Sequence, residues 1–310
     1  MKKLLIATTA LVMTAGVAAA EVTVTGDSRF GVLYDGENTN FTSRIRVIFG
    51  MSGETDGGLS FGASIRADQQ EGDENEGGSG SMFISGAFGK LSVGDVAGAA
   101  EKAVGDLDGV GLTGLGDYSD TAFITGDGAE ATGKNPIFLY EYSIEGFSFY
   151  LSGNDGRVRG GSLGTDDGKD DSAYAVGIGY EFGDYSVGLG YENLDPVVGS
   201  SYDHIAVSGS AAFGDVTLKA VYGEASDIDL TQYGVSASGN VQAVVVTGFY
   251  KRLEIGAVDT EAYGIGASYD LGGGASLKGG VVDYDIDTLV PGGVVNDSET
   301  VADFGINFKF

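Results

Sequence analysis

Four arginines stand where their charges can act together. Arg29, Arg44, Arg46 and Arg66 make up four of the seven arginines in the chain, and each interrupts a run in which apolar residues recur at every second position. Val22, Val24, Phe30, Val32 and Tyr34 alternate with Thr23, Thr25, Asp27 and Arg29. Ile45, Val47, Phe49 and Met51 alternate with Arg44 and Arg46, and Leu59, Phe61, Ala63 and Ile65 with Ser60, Gly62, Ser64 and Arg66. A period of two sends successive side chains to opposite faces of a strand, so the guanidiniums gather on the polar face of three consecutive strands. The segment from Asp95 to Asn135 has the opposite sign, carrying Asp95, Glu101, Asp106, Asp108, Asp117, Asp120, Asp127 and Glu130 against Lys102 and Lys134. Rows of fixed charge facing each other do not make bonds; they set up a field that orders water and orients dipolar molecules. The plainer alternative is that the arginines pair with the acidic segment and anchor it.

Other constellations carry less. Gly109-Val110-Gly111-Leu112-Thr113-Gly114 matches the dinucleotide fingerprint letter for letter, but no strand-helix-strand context surrounds it, so it reads as loop. With Cys 0, disulfides, thiolate metal sites and cysteine nucleophiles drop out together, and with His 1 no serine-histidine-aspartate relay can be argued. That histidine, His204, stands near a strand start and reads as a rim residue, a lone imidazole lacking partners for a metal. Composition alone permits hydrolysis by paired carboxylates, yet nothing positive supports an enzyme, and no motif requires a cofactor. The carboxylates of Asp106 and Asp108, and the run Glu71 to Glu76, suit Ca²⁺ as hard oxygen ligands or simply form solvated acidic faces. Lys+Arg 17 against Asp+Glu 45, a net charge of −28, sets nucleic acid aside, because a polyphosphate needs a basic patch.

The elements that must position these groups are strands. Lys2 and Lys3, an apolar run from Leu4 to Val17 and the small residues Ala18, Ala19 and Ala20 form a secretory leader. Removing residues 1–20 with their two lysines leaves 290 residues, 21–310, at net charge −30. Turn signals divide those residues into about sixteen strands, most of roughly 9–11 residues, the length of a tilted membrane strand. Phe88-Gly89-Lys90, Phe182-Gly183-Asp184 and Phe213-Gly214-Asp215 are hairpin turns of one type. Ser52 to Gly57, Glu145-Gly146, Ser238 to Asn240 and Leu271 to Gly274 complete seven short connections. Asp68 to Gly80, Asp95 to Asn135, Asn154 to Asp171 and Asp285 to Asp297 are longer and acidic. A sandwich also alternates, but short turns on one rim, long loops on the other, aromatic residues near strand ends and arginines on the face opposite the apolar one describe a closed membrane barrel with a wet interior. First and last strands must then pair, with Phe310 facing lipid beside the amine of Glu21.

Gly26-Asp27-Ser28-Arg29-Phe30-Gly31-Val32, Ser43-Arg44-Ile45-Arg46-Val47, Gly86-Ala87-Phe88-Gly89-Lys90, Tyr269-Asp270-Leu271-Gly272-Gly273-Gly274-Ala275 and Val301-Ala302-Asp303-Phe304-Gly305 follow one another in an order that carries a resemblance over the whole mature chain. The sequence resembles the general diffusion porins of alphaproteobacteria, of the Rhodobacter type. That resemblance implies an all-β, sixteen-stranded antiparallel transmembrane barrel that assembles as a homotrimer among outer-membrane lipids. It implies a third loop, here residues 95–135, folded into the lumen, structural Ca²⁺ in some members, and passive diffusion of ions and small hydrophilic solutes. The terminal Phe310 resembles the signal read by outer-membrane assembly machinery. Two rival readings stay open: a substrate-selective outer-membrane channel, and a secreted β-rich adhesin or surface protein.

Overall fold

In the computed structural model, residues 20–70, 73–125, 138–154, 172–196, 200–290 and 293–310 are described; nearly all of the expected leader 1–20 and most of the expected connection Asn154 to Asp171 lie outside them. The alternating runs become β1 (Glu21–Tyr34), β2 (Thr39–Glu54), β3 (Ser60–Gln70), β4 (Asp73–Gly86), β5 (Gly89–Gly94), β6 (Phe138–Ile144), β7 (Phe147–Asn154) and β8 (Ser172–Phe182). They continue through β9 (Tyr185–Asp195), β10 (Tyr202–Phe213), β11 (Val216–Ala225), β12 (Leu230–Val241), β13 (Val244–Ile255), β14 (Val258–Gly272), β15 (Ala275–Val290) and β16 (Gly293–Lys309). One helix, α1 (Ala99–Val104), follows β5. Each strand pairs antiparallel with its neighbours in sequence, and β1 pairs with β16 from Asp27↔Lys309 to Tyr34↔Ala302, which closes the barrel. Closure removes every sheet edge, so no row of backbone donors faces hydrocarbon.

The pleat sorts the side chains as the period requires. On β8, Tyr174, Val176 and Ile178 face outward and exposed while Ala173 and Ala175 are buried inside. On β9, Val187 and Leu189 face outward while Glu192 is fully buried within. The outer surface is therefore the apolar one, an inversion of a water-soluble protein that only a lipid solvent makes favourable.

Four expectations from the sequence need correction. Strands run from 6 to 17 residues, and only β3, β8, β9 and β11, rather than most of them, fall within 9–11. Asp68 to Gly80 and Asp285 to Asp297 are not long loops: β3 reaches Gln70 and β4 starts at Asp73, and β15 reaches Val290 opposite Gly293. Beyond the lipid both faces of a hairpin are wet, so the ladder continues without the apolar alternation that marks it in sequence. Ser238 to Asn240 lies within β12, and the turn falls at Gln242-Ala243, with Gln242 at φ 59°. Phe310 does not meet Glu21. Its N–H donates to the Gly26 carbonyl at 2.9 Å, whereas Glu21 sits opposite Ser52 of β2. Five residues of strand, about 17 Å, separate the two positions. Phe310 instead lies exposed on the outer face, stacked on Phe308, which stacks in turn on Phe30.

Candidate functional site

The segment after β5 enters the barrel and follows its inner wall. Its first turn, α1, has Ala99 and Ala100 fully buried against β7, β8 and β9, in a cluster with Leu139 and Ala175. The wall accommodates it because the inward positions are glycines. A Cβ on Gly177 would overlap the Ala99 carbonyl, one on Gly188 the Ala103 carbonyl, and one on Gly190 would stand 2.6 Å from the Ala100 Cβ. The track continues around the barrel. Gly234 receives Leu107, Gly264 and Gly266 receive Val110, Gly280 receives Gly111, and Gly31 and Gly305 receive Leu112. Nine of the 55 glycines thus pave a path for one loop. Val110 and Leu115 complete a buried cluster with Phe249, Ala262 and Val282, so the apolar core lies between loop and wall. Each such aliphatic side chain contributes about 1.5–3 kcal/mol on burial.

Polar side chains from the wall then pin the loop backbone. Ser152 Oγ accepts from the Ala99 N–H at 2.8 Å and Ser236 Oγ from the Asp108 N–H at 3.0 Å; Lys219 donates to the Asp106 carbonyl. At the loop tip the Asp303 carboxylate accepts from the N–H of Leu112 at 2.8 Å, and from the N–H and hydroxyl of Thr113 at 2.6 and 2.8 Å. Arg29 donates to the Leu112 carbonyl at 3.1 Å. Tyr118 stacks on Tyr284 of β15 at 4.4 Å, and Tyr284 donates to Glu299. On the return path Gln232 makes two bonds with the Ala122 backbone, and the buried Glu192 accepts from the N–H groups of Ile124 and Thr125. Wall groups on β7, β9, β11, β12, β16 and β1 thereby satisfy loop amides and carbonyls that would otherwise be buried without partners.

In the register the four arginines share one face: Arg29 lies opposite Arg44, and Arg46 lies between Asp27 and Asp68, the latter two residues from Arg66. Their partners differ from expectation. Arg44 pairs with Asp27 at 2.8 Å, and Arg46 makes a two-pronged contact with Asp68 at 2.9 Å, with Arg66 3.3 Å from the same carboxylate. Only Arg29, among the described contacts, reaches the loop. The loop carboxylates divide as well. Asp95 donates its N–H to the Gly80 carbonyl where the loop leaves the wall. Glu101 accepts from the Gly98 N–H at 3.1 Å and caps α1, and Asp106 accepts from the Thr121 N–H at 2.8 Å. Asp108 is partly buried beside Ser236, whereas Asp117 and Asp120 are open to the lumen. Asp127, Glu130 and Lys134 lie outside the described residues.

Asp120 has lost part of its hydration to the protein packed around it and faces the charges of Asp106 and Asp117. These effects push its carboxyl up to about 6, with Lys251 opposing. Among the described residues no group of three or more acidic, imidazole or thiol side chains is placed to hold a metal, and one Asp106 oxygen accepts from the Thr121 N–H. The side chains of Glu71 to Glu76 are outside the description. The Gly109-to-Gly114 fingerprint does cradle an anion on its amides, but the anion is the chain's own Asp303. His204 is not a rim residue; it is fully buried, 2.7 Å from Glu192, with Phe123 of the loop edge-on to its ring.

Asp27, Asp68, Glu192, Gln232 and Asp303 were not singled out from sequence. Parity alone carried a signal for Asp27, two residues before Arg29. For Asp68 it is the β2–β3 register that brings it against Arg46.

A profile described as Gram-negative porin matches residues 7–289. A porin from Rhodobacter capsulatus is 40% identical, covering 94% of this chain and all of its own length. A porin from Fuscovulum blasticum is 29% identical over the same share of this chain and likewise its whole length. A solved porin structure refined at 1.8 Å superposes with a TM-score of 0.78 at 37% identity, covering 94% of this chain and 100% of the other.

Proposed function

The chain belongs to the Gram-negative porin family and forms an outer-membrane channel for passive diffusion of ions and small hydrophilic solutes, and from that premise we propose how its interior decides what passes. The open path runs between the loop, held on the wall from β7 around to β1, and the arginine-bearing face of β2 and β3. One observation carries this reading: Arg44, Arg46 and Arg66 pair with wall carboxylates Asp27 and Asp68, while Asp117 and Asp120 of the loop stay open to the lumen. Asp117 is also within Coulombic range of Arg29. Basic wall and acidic loop edge set a transverse field across water confined by protein of low dielectric constant. A hydrated or dipolar solute exchanges its water contacts for that field, and an apolar solute has nothing to exchange. Arg29 serves in both capacities, as wall charge and as loop anchor.

The functional unit in this reading is a homotrimer among outer-membrane lipids, reached after removal of residues 1–20, and the lumen performs no covalent chemistry. Phe310, exposed at the end of the closing strand, is the assembly signal. Its deletion should lower the yield of heat-modifiable trimer more than deletion of one residue from a long loop. A net charge of −30 on residues 21–310 against a local basic wall favours a modest cation preference. Reversal potentials of single channels in a KCl gradient test the central reading: a small potential of cation-selective sign is expected, and one of anion-selective sign overturns it.

A further inference from the structure

The single histidine of the chain is buried behind the loop, and its two ring nitrogens face different partners. Nδ1 is 2.7 Å from Glu192 Oε2. That carboxylate also receives the Ile124 N–H at 3.1 Å, the Thr125 N–H at 3.0 Å and the Thr125 hydroxyl at 2.5 Å, a set of donors that only an acceptor satisfies. Nδ1 therefore carries a hydrogen. Nε2 is 3.4 Å from Gln232 Nε2. The Gln232 amide is not free to turn over, because Oε1 accepts from the Ala122 N–H at 2.8 Å and Nε2 donates to the Ala122 carbonyl at 2.6 Å. Turning it would set oxygen against oxygen and N–H against N–H. Gln232 thus presents a donor to the ring, and His204 Nε2 must accept, which assigns a neutral ring with its hydrogen on Nδ1.

A second proton would put two donors face to face. The ring sits over Gly223 of β11 in the space a Cβ would need, 2.8 Å from Nε2, and Phe123 of the loop approaches edge-on. Of the groups in contact with the ring, from β9, β11, β12 and the loop, Glu192 is the ionisable one. Glu192 accepts at Nδ1, so a hydrogen added at Nε2 meets the Gln232 amide and the conflict is resolved there.

We propose that His204 is a proton-operated positioning residue for the constriction loop: the neutral ring holds Gln232 in the orientation that grips Ala122, and the imidazolium breaks that grip. Acid then frees the loop at Ala122 and Phe123, while Glu192 keeps hold of Ile124 and Thr125. The effect on current rests on the proposed constriction; the switch itself does not.

With one histidine, untagged protein labelled with ring-¹⁵N histidine in detergent micelles gives one ring signal. At about pH 8 it should report Nδ1 protonated and Nε2 bare; on titration towards about pH 4.5, Nε2 should gain its proton as the Ala122 amide resonance moves. Over the same range, loop-dependent fluctuations of single-channel current should rise about tenfold, as expected for loss of two backbone bonds. His204→Gln offers Glu192 a donor and Gln232 an acceptor at every pH and should lack the rise that wild type shows. A hydrogen on Nε2 instead of Nδ1 at neutral pH, or the same acid response in His204→Gln, overturns the proposal. Should His204→Gln fail to assemble, Gln232→Leu decides: with no amide to oppose the new proton, a persisting acid increment overturns the switch and its loss upholds it. A ring that titrates together with the Ala122 amide, under a current that does not change, upholds the switch and refutes the constriction.

Discussion

Asp303→Asn removes one charge and alters one atom at the loop tip. Asp303 is 6% exposed, and its oxygens accept from Leu112 N–H, Thr113 N–H and the Thr113 hydroxyl, all within 2.6–2.9 Å. Asparagine keeps one acceptor and turns the other into an NH₂ facing a backbone N–H. Hydrogen bonds to a charged group contribute about 1.5–3 kcal/mol each, and a buried donor left without a partner costs about 1–3 kcal/mol. One bond weakened and one reversed amount to about 3 kcal/mol, or about a 150-fold shift from docked towards undocked tip. The β16 backbone ladders to β1 and β15 do not involve the side chain, so heat-modifiable mobility should match wild type. Single-channel recordings should show frequent transitions to other conductance levels, and a protease added to the folded barrel should cut the loop sooner. A variant with the quiet open current of wild type would refute the assignment of Asp303 as the principal pin of the tip.

Replacing Arg44 and Arg46 together with alanine leaves Asp27 without its ion pair and Asp68 with Arg66 alone, so conductance and cation preference should both rise with the barrel intact; failure to assemble would show that these ion pairs hold the fold. Asp120, pushed up to about 6, is charged above that pH and neutral below it, so cation preference should decline as pH falls from about 7 to about 5, and Asp120→Asn should flatten the profile. The folded state binds that proton more tightly than the unfolded chain, so stability grows as pH falls through about 6, and Asp120→Asn should melt no lower than wild type at pH 7. Gly190→Val should assemble yet conduct noisily, because its Cβ would stand 2.6 Å from the Ala100 Cβ and lift α1 off the wall; a quiet channel would mean the glycine track is dispensable.

How far the sequence spoke depended on whether lipid was present at a given residue. Within the membrane, every second residue must be apolar, and β8, β9 and β10 begin where the alternation places them, at Ser172, Tyr185 and Tyr202. Above the lipid that constraint disappears, and the extended hairpins β3–β4 and β15–β16 were read as loops. The arginines were legible because parity fixes the face of a strand. Asp68 was not, because parity does not fix register. Glu192 and His204 stand on neighbouring strands with nothing in their local sequence to mark them; they become a pair only through the His204↔Glu192 register and a loop that arrives from 67 residues earlier in the chain. A buried polar side chain in a barrel looks like any other lumen residue until its partner is known.

Leu112 touches both ends of the chain at once. Its carbonyl is held by Arg29 on the first strand, its N–H by Asp303 on the last, and its side chain lies over the facing pair Gly31 and Gly305. The loop is made before eleven of the strands that will enclose it, and this residue has no complete seat until the seam between β1 and β16 has zipped. Its partners are 83 residues upstream and 191 downstream, contacts whose loop-closure cost places them among the last to form. A barrel halted with its seam open therefore keeps an unseated tip and an unobstructed interior. The narrow passage comes into being only with the finished wall, so the molecule cannot filter before it is sealed.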